Sequence, residues 1–72
     1  MATFSERLKE LRSENNYTQR HMANYLNITD TAYQNYEYGK RDMNIKTLTA
    51  LADYFNVSID YLVGRSDNPT RL

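Results

Sequence analysis

The sequence predicts an all-α protein, a compact five-helix bundle. Three observations predict it. Apolar residues recur at helical spacing, hairpin and low-complexity signals are missing, and one short joint repeats along the chain. The joints are Asn16-Tyr17-Thr18, Asn27-Ile28-Thr29 and Asn56-Val57-Ser58. Each matches a glycosylation sequon, but a mechanical reading explains more. Asn tolerates the left-handed conformation that ends a helix, and Thr or Ser two residues later caps the next one. The residue between them then sits just before the cap, where its side chain packs on the fourth helical residue. That pairs Tyr17 with Met22, Ile28 with Tyr33 and Val57 with Leu62. With Asn44 as a further cap, Met43 pairs with Leu48.

The joints set the elements in order. The first helix runs from about Thr3, where Thr3 and Glu6 form a capping box, to about Glu14, with Phe4, Leu8 and Leu11 on its apolar side. The second spans about Gln19 to Leu26, and the third about Asp30 to Tyr38, closed by Gly39. The fourth covers about Ile45 to Phe55, with Ile45, Leu48, Leu51, Ala52 and Phe55 inside an arc of roughly 120°. The fifth is short, about Ile59 to Val63, and Gly64 ends it. One domain over 1–65 and a polar tail over 66–72 are expected. The tail carries the single proline, Pro69, and is expected to fray.

Composition narrows the function. At 72 residues there is room for one domain. Cysteine is absent and His21 is the single histidine, so zinc sites and Ser/His/Asp devices lack parts. Ser5, Ser13, Ser58 and Ser66 have no base partner, and Gly39 and Gly64 stand too far apart for a phosphate-cradling loop. No cofactor and no metal are expected, and the chain is not an enzyme by this reading. The longest apolar run is three residues, as in Tyr61-Leu62-Val63, so no membrane partner and a cytoplasmic location are expected. Nine Lys and Arg balance nine Asp and Glu, so any contact with a polyanion depends on where the charges stand.

The third helix is the informative one. At about 100° per residue, Asp30, Thr31, Gln34, Asn35 and Tyr38 share an arc of roughly 140°, with Ala32, Tyr33 and Tyr36 opposite. A short helix with a dense polar face, joined to its predecessor by a tight turn, is how base edges in a major groove are read. The plain alternative is a solvated face. Asn, Gln and Thr stand there rather than the usual Glu and Lys, and Lys40, Arg41 and Lys46 follow within reach of phosphates.

Thr18-Gln19-Arg20-His21-Met22-Ala23, then Leu26, Ile28, Glu37 and Gly39-Lys40-Arg41, resemble the Cro/Xre-type (phage-repressor-like) helix-turn-helix family. The resemblance continues through Leu48, Leu51 to Ser58 and Asp60 to Gly64, covering about residues 4–65. It implies a bundle of the phage-repressor DNA-binding type, with the helix-turn-helix at about 19–38, acting as a transcriptional regulator and above all as a repressor. It implies a double-stranded DNA operator, bound by a homodimer with recognition helices about 34 Å apart. Phe55, Ile59, Leu62 and Leu72 are the candidate dimer contacts, and no small-molecule ligand is evident.

Position by position, the resemblance assigns backbone phosphate to Gln19, and a helix N-terminus favours anions. Thr29, Asp30, Thr31, Gln34 and Asn35 fall at base-facing positions; Tyr38, Lys40 and Arg41 fall at backbone-contacting ones. Arg12 and Glu37 match a partly buried ion pair, with a direct phosphate contact as the other role for Arg12. The chain departs from the pattern at Asn27, which replaces a glycine, and at Met43, which replaces a proline. Tyr33 stands where Ile or Val is usual, which predicts a slightly displaced recognition helix. Asp30 puts a carboxylate toward phosphates, although it can accept from cytosine N4. His21 is expected exposed, Tyr36, Tyr54 and Tyr61 as packing residues, and Tyr25 as an exposed protein contact. The alternative function is a protein-interaction module of the same fold, an antitoxin or anti-repressor partner. A third is a structural domain of a longer repressor, with the tail as linker.

Overall fold

The computed structural model describes residues 3–41 and 43–71. Among them are five helices and no strand: α1 (Phe4–Glu14), α2 (Gln19–Leu26), α3 (Asp30–Glu37), α4 (Ile45–Phe55) and α5 (Ile59–Leu62).

Every helix begins on a side-chain cap. Thr3, Thr18, Thr29, Asn44 and Ser58 each accept from the backbone N–H three residues on, at 3.2, 3.0, 3.1, 2.8 and 3.0 Å. Glu6 completes the capping box by accepting from the Thr3 N–H. Each cap satisfies a donor the helix cannot, worth about 1 kcal/mol.

All five helices also end the same way. One residue past the last turn the backbone turns left-handed, at Asn16 (φ 58°), Asn27 (φ 58°), Gly39 (φ 74°), Asn56 (φ 56°) and Gly64 (φ 85°). The next N–H then returns to a carbonyl five residues back. Tyr17 donates to Arg12, Ile28 to Ala23, Lys40 to Asn35, Val57 to Ala52 and Arg65 to Asp60, at 2.8 to 3.1 Å. This is the Schellman closure, and it permits the sharp angle between successive short helices.

Those angles gather one core. Leu8, Met22, Tyr33, Leu51 and Leu62 are fully enclosed, with Leu11, Ala23, Tyr36, Ala52 and Val57 beside them. Both members of each predicted joint pair belong to this cluster or pack against it. Tyr33 fits without leaving the core, although its enclosed hydroxyl has no hydrogen-bond partner among the described residues.

Three expectations fail. Ile45 is 78% exposed rather than packed: it is the first residue of α4, and the residues of that arc which reach the buried core are the later ones, Leu51 and Ala52. Leu62 is fully buried inside its own chain, so it offers nothing to a second copy. Ile59 stays exposed and Phe55 half-buried, while Leu72 lies outside the described residues. The tail does not fray. Ser58 donates its N–H to the Pro69 carbonyl (3.1 Å), and Asp67 accepts from Arg7 (2.6 Å), whose guanidinium lies 3.9 Å over the Tyr61 ring. Arg71 then pairs with Asp53, strapping the tail across α4 and α5. Polar composition gave no sign of these partners, which stand far away in sequence.

Candidate nucleic-acid interface

The candidate interface lies on α2 and α3, and α3 is held from below. Glu37, with a side chain only 1% exposed, accepts from Arg12 Nε at 2.6 Å and from Arg12 Nη2 at 3.2 Å. Arg12 Nη1 donates onward to the Tyr17 carbonyl (2.9 Å), and Gln19 Nε2 donates to Glu37 Oε1 (3.2 Å). One carboxylate thus ties α1, the turn after it, α2 and α3 together. Ser5 adds a bond from α1 to the end of α3, donating to the Tyr36 carbonyl at 2.8 Å.

The charges in this cluster support one another. Burial opposes ionisation of Glu37, but hydrogen bonds from Arg12 and Gln19 outweigh it and hold the carboxyl below its ordinary range. The same bond to Glu37 raises Arg12. Burial, and then the adjacent Glu37 charge, push the Tyr33 hydroxyl well above its ordinary value, so it stays neutral.

Above this anchor α3 presents its polar arc. Thr29, Thr31, Tyr38, Lys40 and Arg41 are exposed, and Asp30, Gln34 and Asn35 are half-exposed. Tyr38 is the helix C-cap and 61% exposed. The side-chain amides of Gln34 and Asn35 have no hydrogen-bond partner among the described residues. Thr29 is already engaged, since its hydroxyl caps α3. Gln19 is engaged too, because one of its two amide hydrogens goes to Glu37 and one remains.

Among the described residues the cations divide into paired and unpaired ones. Ion pairs engage Arg7, Arg12, Arg20 and Arg71. Lys9, Lys40, Arg41, Lys46 and Arg65 take part in none of them, and Lys40 and Arg41 directly follow α3 in the chain. The Arg41 guanidinium lies 5.4 Å from the Tyr36 ring centroid.

Several contacts escaped the sequence. Arg7 is buried under the tail, and Arg20 Nε lies 3.5 Å from Asp30 Oδ2. His21, exposed as expected, stacks on Tyr17 (4.3 Å) and meets the Tyr54 hydroxyl through Nε2 at 2.6 Å. Tyr25 stacks on Tyr54 at 4.0 Å, forming an aromatic seam between α2 and α4. The signal for that seam is a local repeat, since Tyr25 and Tyr54 occupy equivalent places in Met22–Thr29 and Leu51–Ser58.

A capped helix, a left-handed three-residue joint and a second helix displaying an anchored polar face define the helix-turn-helix class. The chain belongs to the helix-turn-helix domain family, whose sequence profile matches residues 5–67. It is 45% identical over 60 residues to the SPbeta prophage-derived uncharacterized HTH-type transcriptional regulator YonR of Bacillus subtilis, covering 83% of this chain and 56% of that one. It is 42% identical over 65 residues to the HTH-type transcriptional regulator ImmR of the same organism, covering 90% and 51%. Over 60 residues it is 40% identical to the cryptic phage CTXphi transcriptional repressor RstR of Vibrio cholerae, covering 83% and 54%. The crystal structure of a transcriptional regulator from Listeria innocua superposes with a TM-score of 0.83 at 35% identity, covering 86% of this chain and 58% of that one. The chain spans about half the length of the curated relatives it matches. Among the described residues no helix is long and apolar enough to cross a membrane.

Proposed function

We propose that this chain is a cytoplasmic, sequence-specific repressor that binds a double-stranded DNA operator as a homodimer, with α3 in the major groove. The observation that carries this is the pair of unpartnered amides, Gln34 and Asn35, on a helix fixed in orientation by the Arg12–Glu37–Gln19 cluster. Each amide can bond bidentately to adenine, at about 1–3 kcal/mol of discrimination. Thr29, Asp30 and Thr31 complete the base-facing set. Gln19, Tyr38, Lys40 and Arg41 meet the backbone, and the two cations supply attraction that falls with salt.

Selection of duplex sites from a random library tests this. Gln34→Ala and Asn35→Ala should each relax one position of the selected site. Lys40→Ala and Arg41→Ala should weaken selected and random duplex alike and make the salt slope shallower by about one unit each. Sedimentation with operator should show two chains per site. If the parent protein enriches no duplex, the reading is wrong, and the protein-interaction alternative takes its place.

A further inference from the structure

Asp30 is the difficulty in the proposed interface, because a carboxylate approaching a phosphate surface is repelled. Its position in the first turn of α3 is favourable for folding, since acids there oppose the helix dipole. What it would do against DNA depends on its neighbour. Arg20, the second residue of α2, brings Nε to 3.5 Å from Asp30 Oδ2. Both residues stand in the first turns of their helices, and the caps Thr18 and Thr29 and the left-handed Asn27 fix those turns. Their mutual register is therefore set by the joint rather than by the pair.

The pair does little for the fold. Its side chains are 78% and 45% exposed, and ion pairs so wetted contribute almost nothing measurable. Its open groups are more informative. The two approach through Nε and Oδ2, and neither Nη group of Arg20 nor Oδ1 of Asp30 makes a hydrogen bond among the described residues. The pair then offers a planar fork of donors with one acceptor beside it, and no net charge. The major-groove edge of a C·G pair is the complement: guanine shows two acceptors, N7 and O6, and cytosine shows one donor, N4. An A·T pair alternates acceptor and donor and adds a methyl group, which this fork does not match.

We propose that Arg20 is a specificity-determining residue that acts with Asp30 as one reading unit for a C·G base pair. Arg20 addresses guanine O6 and N7 through its Nη groups, and Asp30 accepts from cytosine N4. The guanidinium removes the repulsion that would keep the carboxylate out of the groove. This rests on the DNA reading assigned to α3 above, and adds a residue of α2 to it.

Random-site selection with the parent protein, Arg20→Ala, Arg20→Lys, Asp30→Ala and the double Ala variant decides the matter. Arg20→Ala should lower the preference for C·G at one position by roughly 5- to 150-fold, the range for one bidentate contact. Arg20→Lys should lose it as well, because a point charge lacks the fork. Asp30→Ala should relax the same position, and the double variant should lose no more than the worse single one. Melting temperatures should stay with the parent, as an exposed pair requires. The proposal is overturned if Arg20→Ala keeps the preference and only flattens the salt slope, which makes Arg20 a phosphate contact. Retention by Arg20→Lys overturns it too, leaving charge compensation alone. A parent that selects no duplex overturns the functional reading, and this pair with it. A parent that selects a site whose bases respond to Gln34 and Asn35, but not to Arg20 or Asp30, overturns the pair only.

Discussion

Residues 22–29 and 51–58 fold into the same joint. In each a buried apolar residue and a buried alanine precede a polar residue, a tyrosine and an apolar residue; then come a left-handed Asn, an aliphatic residue and a hydroxyl cap. Asn27 has φ 58° and ψ 46°, and Asn56 has φ 56° and ψ 48°. The returning bonds, Ile28 to Ala23 and Val57 to Ala52, both measure 3.0 Å. The residues entered by the two caps nevertheless build different things. After Thr29 comes an eight-residue helix with a polar arc, anchored by Glu37; after Ser58 comes a four-residue helix that buries Leu62 and leaves Ile59 exposed. Joint chemistry sets an angle between helices. Whether the second helix can serve as a reading head depends on its length, its polar arc and its anchor.

The anchor is the largest of these differences, and Glu37→Ala breaks it. Removing one partner of a buried pair leaves Arg12 uncompensated and should cost about 3–5 kcal/mol. A domain of this size holds roughly 4–11 kcal/mol in total, so the melting temperature should fall by roughly 15 °C or more. Asp60→Ala, in the first turn of α5 and exposed, should stay within about 0.5 kcal/mol. A cycle of Arg12→Ala and Glu37→Ala should give a clear coupling energy, and none would dissolve the contrast. The pH dependence has a definite sign. Glu37 is lowered in the folded state, so its contribution is present above the ordinary carboxylate value, about 4.3, and is lost as pH falls through the folded value. Tyr33 is raised, so its contribution is full below about pH 10 and is lost above it. Denaturant midpoints should drop at both ends, and Glu37→Gln should flatten the acid limb.

The element boundaries were legible in the sequence because capping and closure are local. Each helix end is settled by residues within about six positions, and Thr, Asn and Gly carry that information at fixed offsets. The polar arc on α3 was legible for the same reason, since one helical period places Asp30, Thr31, Gln34 and Asn35 together. Contacts between elements were not. Arg7 meets Asp67 across 60 residues, and His21 meets Tyr54 across 33. Such pairings depend on the angles at which helices cross, which no single segment encodes. Ile45 shows the opposite error: periodicity put it on the apolar arc of α4, but only the later residues of that arc, Leu51 and Ala52, are buried.

A smaller effect separates joint from reading head more cleanly. Asn27→Ala and Asn56→Ala each force an ordinary side chain into the left-handed region, at about 1 kcal/mol, and should do so equally. Only Asn27→Ala should then weaken DNA selection, because only that joint orients α3. Asn27→Gly should restore both stability and selection, since glycine adopts this conformation freely. Equal losses of DNA binding from the two alanine variants would mean that the α4–α5 joint also shapes the interface.

The smallest change exchanges the caps themselves. Thr29→Ser and Ser58→Thr keep a hydroxyl where each helix needs one, so the bonds to the Ala32 and Tyr61 N–H groups survive. Both variants should remain within about 0.5 kcal/mol of the parent in urea titrations, because Ser and Thr cap comparably. The methyl group is what differs. At Ser58 an added methyl meets the α4–α5 side of the bundle and has no route to DNA. Thr29 is exposed and belongs to the proposed base-facing set, where a thymine C5-methyl is the natural partner of its methyl group. Thr29→Ser should therefore lower thymine enrichment at one position of the selected site while the melting temperature holds, and Ser58→Thr should leave the site unchanged. If Thr29→Ser selects the parental site without any loss, Thr29 serves only as a cap, and the two joints are equivalent up to the first residue of the helix that follows.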